Sequence, residues 1–209
     1  MRNLQVFVVG LMLVACSVVW AAEIDSQVVI SDYIKALGGE KALLSIGGSS
    51  YAGFRVTDVH WETPPYDVVE ILAETPSSGE PRMYELSDRD CQKPDKPQER
   101  KLVNESDLLW LLSPQHALNI EDRFGKLEYA GEAPVGENMC YVLSSSDQQQ
   151  GAKSLYFDCE TGLLLRVGSH LSIVDYRLVD GVMTPTQIVY DRKGGNVTYF
   201  FKSIKHARR

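Results

Sequence analysis

The chain has 209 residues, 21 of them Lys or Arg and 28 Asp or Glu, for a formal net charge of −7. That length suits one domain, and 44% apolar with 23% charged residues fits a globular body, which excludes a disordered chain and a polytopic membrane protein. An acidic surface repels phosphate backbones, so nucleic acid is not an expected partner.

The chain opens with Met1-Arg2-Asn3 and then an apolar stretch, Leu4 to Ala22, interrupted only by Gln5, Gly10 and Ser17. An early positive charge, an apolar segment and small residues before polar chain are the parts of a secretory leader. Val19 and Ala21 fit cleavage before Ala22, which gives a signal peptide over 1–21 and a body over 22–209. Leu13-Val14-Ala15-Cys16 is also a lipobox, in which Cys16 would be acylated and become the first residue. A third reading keeps this apolar run as a membrane anchor. All three routes export the body, so a periplasmic location is expected, or the outer membrane if Cys16 is the anchor. Loss of the leader with Cys16 leaves Cys91, Cys140 and Cys159 in an oxidising compartment, where two can pair and one stays over.

From Ser26 the pattern is helical: Val29, Tyr33, Ala36 and Leu37 share a stripe, and Gly38-Gly39 supplies a stop. A second helix is expected from Glu40 to Ile46. Beyond it, segments rich in aromatic and β-branched residues alternate with Gly, Pro, Asp and Ser clusters, the pattern of a meandering antiparallel sheet. Strands are expected near 51–60, 66–74, 82–87, 126–133, 139–143, 155–159, 163–169, 173–179, 186–191 and 197–204. The polar, proline-bearing segment 91–100 reads as a loop. Asn104 can then cap a helix with Glu105 and Asp107 in its first turn, followed by five large apolar residues, Leu108 to Leu112. Such a run covers a helix on every side, so it must be buried all round or lie against an apolar hollow.

Several of these stretches carry a family likeness. Tyr33-Ile34-Lys35-Ala36-Leu37-Gly38-Gly39-Glu40-Lys41-Ala42-Leu43 resembles the N-terminal motif of outer-membrane lipoprotein-sorting-like (LolA-like) periplasmic proteins. Tyr156-Phe157-Asp158, Thr161-Gly162-Leu163-Leu164, Asp175-Tyr176 and Asp180-Gly181-Val182-Met183-Thr184-Pro185 agree with it. The resemblance implies an α+β fold: a strongly curved antiparallel sheet, or half-open β-barrel, with N-terminal helices and a helical lid on its concave face. It implies non-enzymatic binding or transport of lipid or lipoprotein acyl chains. The motifs are mostly turn chemistry and carry fold better than activity.

Searching for chemistry changes little. The chain has no paired-histidine zinc motif, nucleophile elbow, phosphate-binding glycine loop or Cys-x-x-Cys, so no metal or cofactor is expected. His60, His116, His170 and His206 are scattered singly and read as surface or strand residues. Asp88, Asp90 and Cys91 read as a solvated turn. As a lid, the apolar helix would line an acyl-chain cavity with Leu108, Trp110 and Leu111; otherwise it is an ordinary core helix. The basic end, Lys202, Lys205, His206, Arg208 and Arg209, reads either as a solvated edge strand and tail or as a contact for anionic lipid headgroups. Segments 139–143 and 155–159 read as a hairpin. Pairing Cys140 with Cys159 would set Val142 opposite Phe157, bring the thiols within disulfide range and leave Cys91 free. The expected partner is a lipid or acylated lipoprotein. An exported sensor with the same fold and no lipid cargo is the alternative, and an enzyme would need polar residues gathered from distant strands.

Overall fold

A computed structural model describes residues 24–57, 67–76, 80–86, 101–102, 106–145, 153–192 and 195–209. Asp25 accepts a hydrogen bond from the Gln27 amide (2.9 Å) and caps α1, Ser26–Ala36, whose buried face is Val29, Ile30 and Tyr33. The helix ends because Gly38 adopts φ +119°, which lets the amides of Gly38 and Gly39 return to the carbonyls of Lys35 and Ile34. α2, Glu40–Leu44, is shorter than expected, because Ile46 already pairs with Arg208 and opens β1, Ile46–Thr57.

β1, β2 (Asp67–Thr75), β3 (Arg82–Leu86) and β4 (Lys101–Leu102) form a meander running out to one sheet edge. The chain then passes through α3, Ser106–Leu112, and α4, Ile120–Phe124, to reach the opposite edge. From there a second meander returns through β5 (Leu127–Val135), β6 (Asn138–Ser145), β7 (Ser154–Asp158), β8 (Leu164–Val167), β9 (Leu171–Val179), β10 (Val182–Arg192) and β11 (Gly195–Arg208). Among the described residues the sheet has eleven strands, ordered β4-β3-β2-β1-β11-β10-β9-β8-β7-β6-β5 and antiparallel throughout. Its edge strands β4 and β5 do not pair, so it is an open half-barrel with helices, the expected class. Ten of the strands match expected segments. The eleventh, β4, has two residues, too few for any periodicity to register, and α4 has only five.

All but one of the pairings join strands consecutive in the chain. The exception, β1 with β11, zips the two meanders together from Ile46↔Arg208 to Thr57↔Val197, with a bulge between Ala52 and Gly53. One face of the sheet and the helices share a buried core that includes Tyr33, Tyr51, Ile71, Met83, Leu111, Phe157, Ile188 and Tyr199.

The family-like motifs, far apart in sequence, meet at α1. The Met183 amide donates to the Leu37 carbonyl (3.0 Å), and a Cβ on Gly38 would lie 2.4 Å from the Gly181 carbonyl oxygen. Asp158 accepts from the Glu160 amide (3.2 Å) and the Thr161 hydroxyl (2.6 Å), shaping a turn in which Gly162 abuts Asp32 and Ala36. The Tyr176 hydroxyl donates to the Leu164 carbonyl (2.7 Å), and Thr186 donates to Asp175 (2.5 Å). These motifs are joints, some between the first helix and the sheet and some between strands, which is why they report fold and not cargo.

Candidate functional site

α3 spans the hollow of the half-barrel. The Tyr51 hydroxyl of β1 donates to the Leu112 carbonyl (2.6 Å) at one end, and Asp107 at the other end meets Lys153, just before β7. Its apolar run divides as a fully enclosed helix requires: Leu108, Leu111 and Leu112 are buried, while Leu109 and Trp110 are half-buried against the same core. Leu108, Trp110 and Leu111, the residues expected to line a cavity, are packed into the core that the helices share with the sheet. Trp110 stands edge-on to His116 and Phe124 with ring centroids 5.0 Å away in each case. Its buried Nε1 finds no acceptor among the described residues.

Polar contacts fasten the α3–α4 segment to the frame. Asp107, 6% exposed, accepts from Lys153 Nζ at 2.8 and 3.0 Å and from Arg123 Nη2 at 2.8 Å, with His170 Nε2 at 3.7 Å. Burial alone would raise its pKa; the hydrogen bonds and charges of Lys153 and Arg123 outweigh burial and hold the carboxyl below its ordinary value. Beyond α3, the His116 Nδ1–H donates to the Ser113 carbonyl (2.6 Å), which leaves Nε2 to accept from the Tyr33 hydroxyl. Burial lowers the His116 pKa to about 4 against the opposing pull of Ser113, so the ring is neutral near pH 7. Gln115 Nε2 donates to the Ile46 carbonyl (3.1 Å), and the Ser145 hydroxyl donates to the Phe124 carbonyl.

The sequence reads His116 as a surface or strand residue and Asp107 simply as an acid in the first turn of a helix. Both are buried hubs. No local signal reveals this, since Tyr33 lies 83 residues from His116 and Lys153 lies 46 from Asp107. The Cys140–Cys159 register is also corrected. Cys140 faces Asp158, with Tyr141↔Phe157 and Leu143↔Leu155, one residue away from the expected pairing. A one-residue slip exchanges the faces, and the larger apolar set wins the core: Leu143, Leu155 and Phe157 are all fully buried. Cys140 and Cys159 are therefore on opposite faces of the hairpin, and both are free thiols.

β11 runs between β1 and β10, but its pairing with β10 stops at Phe200, so the basic end is paired on its β1 side alone and Lys202, Lys205, Arg208 and Arg209 are exposed, as a solvated edge would be. Cys16, His60, Asp88, Asp90, Cys91 and Asn104 lie outside the described residues. Among the described residues no three His, Cys, Asp or Glu side chains cluster as metal ligands, and no helix is long and apolar enough to cross a membrane.

No family model matches the chain, and no curated protein matches its sequence. Solved structures do. A DUF1329 family protein from Desulfovibrio piger aligns with a TM-score of 0.55 at 12% identity, over 86% of this chain and 92% of that one. A LolA superfamily protein from Nitrosomonas europaea gives 0.48 at 11% identity, over 89% and 95%. An outer membrane lipoprotein-sorting protein domain from Vibrio parahaemolyticus gives 0.40 at 10% identity, over 77% and 85%. Identity this low speaks to fold and not activity, and the first superposition is the one that carries weight. At the level of fold, the chain is an open antiparallel sheet with helices packed on one face, similar to the DUF1329 family protein.

Proposed function

We propose that the protein is an exported, non-enzymatic binder of acyl chains, carried by lipids or lipoproteins, and that α3 and α4 are a lid standing where the chains lie. The body over 22–209 acts as one domain in the periplasm after cleavage before Ala22, with acylation at Cys16 as the alternative. Intact mass of the exported protein distinguishes the two: a diacyl or triacyl mass on Cys16 overturns cleavage.

One observation carries the reading: the core between the helices and the sheet, which is not closed among the described residues, is occupied by the leucines of α3. Burying three leucine side chains is worth about 5–9 kcal/mol, whereas burying roughly 14 methylenes of an acyl chain is worth about 11 kcal/mol. The two are close enough for a cargo to exchange with the lid. A fluorescent fatty-acid probe should enter the protein, and Trp110→Asp should abolish uptake while leaving the fold intact, since Trp110 is only half-buried. Unchanged uptake in folded Trp110→Asp removes the helix from the site, and unfolding assigns Trp110 to the core.

The tightness of the hollow favours a second reading, a sensor without lipid cargo, because Leu108 and Leu111 are only 0% and 1% exposed. A folded wild-type protein that takes up no probe would decide for it.

A further inference from the structure

The C-terminal half of β11 converges on the start of β1 and the end of β2. Lys205 pairs with Ser50, which pairs with Glu74; His206 pairs with Ser49, which pairs with Thr75. A cleft of about 670 Å³ opens there, and Lys205, Arg208 and Arg209 line it with Ser49, Ser50 and Thr75. Among the described residues, Glu74 is the one acidic side chain in its lining. On a chain whose net charge is −7, this is a concentrated reversal of sign.

Arg208 and Arg209 are tied to the frame. Arg208 Nη2 donates to the Asp180 carbonyl (2.9 Å), and the Arg209 amide donates to the Ser45 carbonyl (2.9 Å). The Arg209 stem lies over Gly47, where an added Cβ would be 3.1 Å from its Cγ. His206 hydrogen-bonds Ser49 Oγ (2.6 Å) and Thr184 Oγ1 (3.1 Å), so it braces the cleft wall.

We infer that this cleft binds the phosphate of an anionic lipid headgroup at a membrane surface. Arginine and lysine suit a phosphodiester, the exposed Ser50 adds one hydroxyl beside Lys205, and the volume exceeds what a lone phosphate ion needs. Leu44 precedes Ser45, the residue that holds Arg209, and is 45% exposed, giving an apolar contact for the bilayer next to the cations. The inference stands apart from acyl binding, because the cleft's lining includes no residue of the lid segment.

The test is sedimentation of the full exported chain with phosphatidylcholine vesicles, with and without phosphatidylglycerol, at low salt. Binding should require phosphatidylglycerol and weaken as salt rises. Joint replacement Lys205→Gln, Arg208→Gln and Arg209→Gln should reduce partitioning on the order of 100-fold, at about fivefold per cation. Lys202→Gln is the control: that cation lies over the Phe54 ring (4.5 Å), outside the cleft, and its loss should change binding little. If the triple variant does not fold, exposed Lys205→Gln alone should still show about a fivefold loss. Equal binding to both vesicle types, full binding by the triple variant, or an equal loss in Lys202→Gln overturns the assignment. So does titration in which inorganic phosphate binds while neither vesicle does, which would make the source a free anion. Fatty-acid uptake by the triple variant should stay normal, so failure here and failure of the acyl-binding reading are separable.

Discussion

Replacing Gly53 with alanine is expected to cost at least about 4 kcal/mol and to leave little folded protein. Gly53 occupies the bulge where β1 meets β11, and a Cβ there would lie 1.8 Å from the Phe200 carbonyl oxygen and 2.9 Å from the Phe201 Cα. These are backbone atoms, so no rotamer change relieves the overlap; the strands themselves must part. This is also the one seam between strands distant in sequence, and parting it releases two meanders that are otherwise locally paired. Urea denaturation followed by circular dichroism checks the expectation. Val68→Ala on neighbouring β2, where the side chain is 56% exposed, should stay within about 0.5 kcal/mol of wild type. A Gly53→Ala protein as stable as Val68→Ala would mean that the seam yields easily.

The second large effect is a loss of stability on acidification. His116 titrates at about 4 when folded against an ordinary 6.5, so the unfolded chain binds the proton first. Stability is therefore fully present above pH 6.5 and declines as pH falls toward 4, by about 3 kcal/mol over the window. The loss falls on the lid, because the neutral ring is what accepts from Tyr33 while donating to Ser113. Asp107 adds a separate loss at lower pH: its folded pKa is depressed, so its contribution is present above its unfolded value near 3.8 and disappears as pH falls through the folded one. Urea midpoints at several pH values should fall below pH 6.5 in wild type and stay flatter in His116→Gln, which keeps the size and polarity of the side chain without its titration. A wild-type midpoint independent of pH between 6.5 and 4 would show that His116 is not held neutral by burial.

Local chemistry in the chain was enough to determine the elements and much of the architecture. Asp25 as a cap, Gly38-Gly39 as a stop and Asp180-Gly181 as a hairpin turn act within a few residues, and strand periodicity needs only one strand to be visible. Ten strands and the apolar helix before Ser113 could therefore be read directly, as could the class of half-barrel through its motifs. What packs against what was decided only in three dimensions. The hairpin register followed from which face buried more, Leu143 with Leu155 or Cys140 with its partner, a competition settled by the whole core. β11 became a central strand because β1, nearly 150 residues earlier, closes onto it. Asp107, legible only as a first-turn acid, is a buried anion because Arg123 and Lys153 arrive from separate elements to neutralise it, and His116 stays uncharged because Tyr33 and the core exclude water around it. Burial and charge pairing are sums over neighbours brought by the fold, and a linear pattern holds no record of them.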